Sequence, residues 1–227
     1  MGLFSFFGSL FGSKTTNQYS AGGGGIIVSG GGGSNTTGEQ RFATTLAIND
    51  STMLRQLQQA NKYRSIILEA AQKTNLPAAI ICGIGSRESH WGLALTPPGP
   101  GGRGDFAKRP LRGARTGLEP NDGPGYGRGL MQIDYDWHEF ARTGNWQNER
   151  ANLLYACTVL NSARSFFEQR NVPATQMLRA IIAAYNAGAT ATYGCISAGS
   201  DVDCKTTGRD YSKDVLNRAG WFQLQGW

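Results

Sequence analysis

Three short segments of the chain hold side chains whose types and spacing suit acid and amide chemistry. In Gly85-Ser-Arg-Glu-Ser-His-Trp-Gly92, Glu88 follows helical turns that are almost wholly apolar. A carboxyl group held there against Ile84 and Trp91 loses hydration, and lost hydration raises an acid's pKa because the charged form suffers most. A general acid working near neutral pH needs that state. An ordinary surface glutamate paired with Arg87 or His90 fits the spacing equally well. In Gly129-Leu-Met-Gln-Ile-Asp134 an amide, Gln132, and a carboxylate, Asp134, sit on a short segment whose Leu130, Met131 and Ile133 read as core. In Ala183-Ala-Tyr-Asn-Ala-Gly188, Tyr185 and Asn186 stand at a helix end, where an amide bonds either a sugar or the backbone. The chain has two histidines, His90 and His138, and neither receives a role. A helix turns the first away from Glu88.

The elements that must position these groups are helices. From residue 50, Met53, Leu54, Leu57, Ala60, Ile66, Ile67 and Ala70 recur at spacings of three and four, which predicts one amphipathic helix. Asn75-Leu76-Pro77 breaks it and starts a second, with Pro77 near a first turn where its missing N–H costs little. This second helix runs through Ile81 and Gly85 to Glu88. A third, about 149–169, places Leu153, Cys157, Leu160 and Phe167 on one face. A fourth opens at Pro173 and stops near Gly188, and the last covers roughly 211–222. No segment alternates as a strand with hairpin signals, so the predicted class is mainly α.

Between Trp91 and Gly129 the character changes. Six of the eight prolines fall between Pro97 and Pro124, with repeated glycine and the cations Arg103, Lys108, Arg109, Arg112 and Arg115. An irregular insertion of that length is a functional loop or a disordered one. The first 38 residues carry one charge, Lys14, and two glycine runs, so residues 15–40 read as a flexible tether. Ahead of it, Met1 to Ser13 alternates Leu and Phe with Gly and Ser. No basic residue precedes it as in a signal peptide, and Phe6 replaces the Ser or Thr of a myristoylation motif. What remains is a segment that docks residues 1–14 on a partner groove or bilayer interface, or a start without a role. The division is therefore a leader, 1–40, and a catalytic domain, 41–227.

Composition bounds the function. The 227 residues are 40% hydrophobic, enough for one core, and no run of about 18 apolar residues spans a bilayer. A net charge of +6 favours a polyanionic partner, or simply solubility. Cys82, Cys157, Cys195 and Cys204 have no CxxC spacing, which speaks against a zinc site or a redox pair. Cys195 and Cys204 flank a short polar loop that a local disulfide can close. Cys82 and Cys157 sit on apolar helical faces and read equally as buried thiols.

Taken in order, the Ser-Arg-Glu-Ser-His block, Gly129–Asp134, Ala183–Gly188 and a final Asp210-Tyr-Ser-Lys-Asp-Val215 resemble goose-type lysozymes and the related soluble lytic transglycosylases. The resemblance covers about residues 50–222, with an expanded loop between the first two blocks. It implies a lysozyme-like helical fold without metal or organic cofactor. Glu88 is then the acid that protonates the oxygen between N-acetylmuramic acid and N-acetylglucosamine in peptidoglycan. It also implies acidic residues that place a water, corresponding to Asp134 and to Asp122 in Asn121-Asp-Gly-Pro-Gly-Tyr-Gly, with Asp105 competing for the place of Asp122. Tyr211 is expected to approach Glu88 from the last helix. Gln132, Tyr185 and Asn186 fall near the sugar subsites, or serve as braces and caps.

Hydrolysis with inversion needs a base far enough from the acid to admit water, and it is the favoured reaction because the chain offers Asp122 and Asp134 in flanking sequence that resembles the goose type. The alternative is a lytic transglycosylase, in which Glu88 alone forms 1,6-anhydromuramyl ends. A rival of another class is an inactive module that binds glycan or nucleic acid through the basic insertion. Between Arg103 and Arg115 only Phe106 is aromatic, so no specific nucleic acid is expected. The glycine-rich leader suggests a virion-associated enzyme delivered to a cell wall, with secretion to the extracellular or periplasmic side as the alternative.

Overall fold

Asp50 accepts a hydrogen bond from the Met53 amide at 2.8 Å, and this cap starts the first helix. The computed structural model describes residues 40–109 and 119–227. The sequence predicts one helix up to residue 74. There are two, α1 (Ser51–Lys62) and α2 (Arg64–Thr74), divided at Tyr63. Tyr63 leaves helical geometry and its ring stacks at 6.0 Å on Trp91, a tertiary contact that no local breaker announces.

After the left-handed Asn75, Pro77 opens α3 (Ala78–Ser89). Ten of its twelve residues are buried, as expected of a helix apolar on every side. The other helices are α4 (Glu139–Thr143), α5 (Glu149–Glu168), α6 (Ala174–Ala187), α7 (Ala189–Ser197) and α8 (Tyr211–Leu224), and α3 packs mainly against α8 and α2. α3 and α8 approach closely because Gly83 has no side chain; a Cβ there would lie 2.5 Å from the Val215 carbonyl oxygen. Ile67, Ile80, Ile84, Phe167, Ile181, Trp221 and Phe222 form the centre of one core. Residues 40–47 lie along α8. The Phe42 amide donates to Gln223 Oε1 at 2.9 Å, and the Trp221 indole donates to the Ala47 carbonyl at 2.8 Å.

A small antiparallel sheet, absent from the sequence reading, joins β1 (Arg103–Gly104), β2 (Gly127–Arg128) and β3 (Ile133–Asp134) in that order. Its two-residue strands are too short for alternation to register, and β1 and β2 are set far apart by the insertion. α7 follows α6 after the single residue Gly188, whose φ of 82° breaks the run. A disulfide joins Cys195 to Cys204, while Cys82 and Cys157 are free and buried. Burial pushes the Cys82 thiol well above its ordinary value and that of Cys157 up to about 11. The tether of residues 15–39, the apolar start of the chain, and Arg112 and Arg115 lie outside the described residues.

Candidate active site

The last turn of α3 carries Ser86, Arg87, Glu88 and Ser89, and each has a separate task. Arg87 donates to Asp214 at 2.8 Å and to Asp210 at 3.4 Å, which fixes α3 against the first turn of α8. Between those two aspartates stands Tyr211, whose buried hydroxyl donates to Glu88 Oε1. Ser86 and Ser89 hold the turn from either side: Ser86 Oγ receives Arg218 at 2.9 Å, and Ser89 Oγ donates to the Leu130 carbonyl at 2.7 Å.

Glu88 is only 7% exposed, and its pKa is pushed up to about 7. Burial is the main cause, the hydrogen bond from Tyr211 and the charge of Arg87 pull the other way, and the charge of Asp105 adds to the rise. With Arg87 committed to Asp210 and Asp214, the surface-pair reading of Glu88 does not describe this carboxyl. His90 is not on the helix, as the sequence reading had it; it is the left-handed residue that caps α3, and it lies outside the cleft lining. The Trp91 ring packs over Gly85 and its indole N–H donates to the Cys82 carbonyl at 3.1 Å. The groups that Glu88 acts on electrostatically are the phenols of Tyr211 and Tyr185.

The Gly129–Asp134 segment is clamped from three helices. Besides Ser89, Asn152 of α5 accepts from the Met131 amide at 2.8 Å and donates to the Arg128 carbonyl at 3.0 Å. Tyr185 of α6 donates its hydroxyl to the Met131 carbonyl at 2.8 Å. Gln132 has a φ of 47° and donates to the Gly129 carbonyl at 2.8 Å. Its side chain fills the space beside Gly104 and Gly127, where any Cβ would overlap it. Gln132 is therefore a brace with one oxygen, Oε1, left without a protein partner in the cleft wall. Asn186 also lines the cleft, and its Oδ1 accepts from the Thr207 amide at 2.9 Å, tying α6 to the approach to α8.

The two aspartates expected to handle water part company. Asp134, at the end of β3, lines the cleft with Glu88 and accepts from Arg109 at 2.8 Å. Asp122 does not line it. Its side chain is 47% exposed and accepts at 2.7 Å from the buried Arg128, whose guanidinium lies 4.9 Å from the Tyr135 ring centre. Asp122 serves as counter-ion to a core arginine, whereas its competitor Asp105, also set behind the lining residues, acts on Glu88 through its charge. Asp105 is buried with a φ of 55°, a left-handed conformation that costs a non-glycine residue roughly 1–3 kcal/mol and occurs preferentially at functional sites. Burial pushes its carboxyl upward, against the pull of Arg109.

Glu88, Gln132, Asp134, Tyr185 and Asn186 edge a cleft of about 1090 Å³ that runs from Glu88 past α5 and α6 to the Cys195–Cys204 disulfide and Lys205. Several lining residues received no role from the sequence, Arg109, Trp137, His138 and Tyr155 among them. Arg109 and Trp137 were hidden among loop residues. His138 and Tyr155, 3.2 Å apart from Nδ1 to Oη, belong to different segments. Trp137 is 57% exposed at the cleft, which leaves its indole face open to a ligand. The one available signal was proximity: Trp137 and His138 follow Asp134 within four residues.

The family model described as Lysozyme g matches residues 25–107 and 111–226. Among curated proteins, lysozyme g of Struthio camelus is 33% identical over 175 residues, 76% of this chain and 72% of the relative. That of Gallus gallus is 32% identical, covering 76% and 69%, and that of Cyprinus carpio 30%, covering 75% and 78%.

Proposed function

The chain belongs to the goose-type lysozyme family and is a glycoside hydrolase with a glycan substrate; from that premise we propose that it is a muramidase which cuts the β-1,4 bond between N-acetylmuramic acid and N-acetylglucosamine with inversion. One observation carries the reading. Glu88 sits at the cleft with its pKa up to about 7, so that at neutral pH a large fraction holds the proton an acid must give. Glu88 protonates the glycosidic oxygen, the C–O bond to the muramyl carbon breaks, and the leaving sugar departs as an alcohol. Positive charge grows on the muramyl ring as this happens, and the carboxylates of Asp105 and Asp134 favour it. A water held by Asp134, the aspartate that lines the cleft, attacks the opposite face and gives that carboxylate its proton, which leaves a reducing end. Trp137 offers an apolar face to a sugar ring, and Tyr185 and Asn186 form the wall beside the acid. The Cys195–Cys204 bridge suits work at the wall, outside the reducing cell interior.

Digestion of purified peptidoglycan in ¹⁸O-water, followed by mass spectrometry of the fragments, tests this reaction. The expected products carry reducing muramyl ends with one ¹⁸O, and Glu88→Gln lowers the rate about 10²–10⁴-fold. 1,6-Anhydro ends would replace hydrolysis by transglycosylation with Glu88 alone. Absence of cleavage, with Glu88→Gln binding as the wild type does, would leave a glycan-binding module.

A further inference from the structure

Arg109 lies between three carboxylates. Its Nη1 donates to Asp134 at 2.8 Å and to Asp136 at 3.2 Å, and its Nη2 donates to Asp105. Its guanidinium lies 4.1 Å from the ring centre of Tyr126, and only 6% of its side chain is exposed. The side chains of Asp105 and Asp136 are buried more deeply still. Two like charges 4 Å apart repel by about 4 kcal/mol at the effective dielectric of a protein surface, so three gathered carboxylates require a cation among them.

The geometry points to Arg109 as a positioning residue of the glycosidase: one guanidinium ties Asp105, Asp134 and Asp136 into a fixed cluster and holds Asp134 at the glycan cleft, with Asp105 and Asp136 buried behind it. This inference rests on the proposed hydrolytic function and adds a determinant to it. Arg109 occupies Oδ2 of Asp105 and Oδ2 of Asp136, and in each carboxylate Oδ1 is buried without a protein partner. The Asp105 carboxylate is therefore held by one oxygen, and its other oxygen is uncommitted within the group that acts on Glu88. A planar fork matches this task, because it binds two acids in set directions where a lysine offers a point charge. Arg109 also belongs to the expanded loop, which gives that loop a purpose at the reaction centre. The other charged or titratable groups around the cluster are few. Arg142 of α4 donates to the Asp136 carbonyl at 3.4 Å, His138 feels Asp134, and Tyr126 feels Asp136, Asp105 and Glu119. Glu88 has Tyr211 and Arg87 for partners, not Arg109.

The test compares wild type, Arg109→Gln and Arg109→Lys by carboxyl ¹³C NMR titration and by the pH profile of peptidoglycan cleavage. In Arg109→Gln the titrations of Asp105 and Asp136 move upward, and the acid limb of kcat/KM moves up by about one pH unit or more while the alkaline limb stays. Arg109→Lys restores the acid limb and leaves kcat at least about tenfold down, because a lysine cannot span the cluster. A role confined to packing would lower thermal stability and leave both the titrations and the acid limb in place, and that result overturns the inference. Should Arg109→Gln fail to fold, Arg109→Lys carries the test: kcat and acid limb both equal to wild type would also overturn it. The NMR titrations need no turnover, so an inert wild type would defeat the proposed function and still leave Arg109 to be judged.

Discussion

At the scale of single residues the site turns on how Glu88 holds its proton. A carboxyl with an ordinary value of 4.5 that stands near 7 in the folded protein binds more proton folded than unfolded between those values. Stability is therefore undiminished below about pH 4.5, declines as the pH rises, and has lost the full increment above about pH 7; at about 1.4 kcal/mol per pH unit the loss is on the order of 3 kcal/mol. Glu88→Gln escapes it. Chemical denaturation should show the variant gaining on wild type by roughly that amount at pH 8.5 and by nothing at pH 4, and a gain equal at both would refute desolvation as the cause. Tyr211 acts in the opposite sense, since its hydrogen bond favours the charged form. Tyr211→Phe removes the bond without opening a cavity, so the alkaline limb of kcat/KM should move up by about one pH unit, the worth of a hydrogen bond to a charged group. A downward move would show that the phenol does not stabilise the carboxylate. The sequence made Glu88 legible through its apolar approach, and the resemblance made Tyr211 legible. It left Asp122 and Asp105 in competition, because the insertion sets the flanking glycines of both in similar contexts and only the buried Arg128 shows which aspartate is otherwise engaged.

At the scale of elements, the long helices were legible because α5, α6 and α8 each bury a stripe at helical spacing and α3 is apolar all round: they stand where the 149–169 pattern, Pro173, Tyr211 and Pro77 predict them. What local pattern missed is what tertiary contact decides. The division at Tyr63 follows from its stack on Trp91, and the two-residue strands exist because Gly104 and Gly127 close around Gln132. α7 escaped for another reason: its Ala, Thr, Gly and Ser residues give no amphipathic stripe. α7 is held instead by the Cys195–Cys204 bridge, and the buried Asp203 next to that bridge accepts from the Ser212 amide at 2.9 Å and from Arg179 at 3.0 Å. Replacing both half-cystines by serine should cost about 2–3 kcal/mol from the unfolded-state entropy of so short a loop. The same segment forms one end of the cleft, so KM for peptidoglycan should rise while the pH profile stays with Glu88. Unchanged KM in the double variant, measured well below its melting temperature, would detach α7 from substrate binding.

At the scale of the whole molecule, two charge distributions with opposite tasks share one chain. The chain total is positive, 22 Lys and Arg against 16 Asp and Glu, while Asp105, Asp134 and Asp136 gather around Arg109 at the side of the cleft. A cluster of that sign suits the positive charge that develops on a sugar ring, and it would repel an anionic polymer unless the rest of the surface drew the polymer in. Capture and chemistry therefore respond differently to salt. Screening shortens the reach of the exposed cations to about 10 Å at 0.1 M, whereas the cluster around Arg109, largely out of water, is screened much less. Between about 0.02 and 0.3 M salt, kcat/KM on whole anionic cell walls should fall several-fold through KM. Over the same range kcat/KM on a short neutral oligosaccharide of N-acetylglucosamine should stay level. Equal losses on both substrates would place the salt effect in the cleft and leave the net positive charge without a part in finding the substrate.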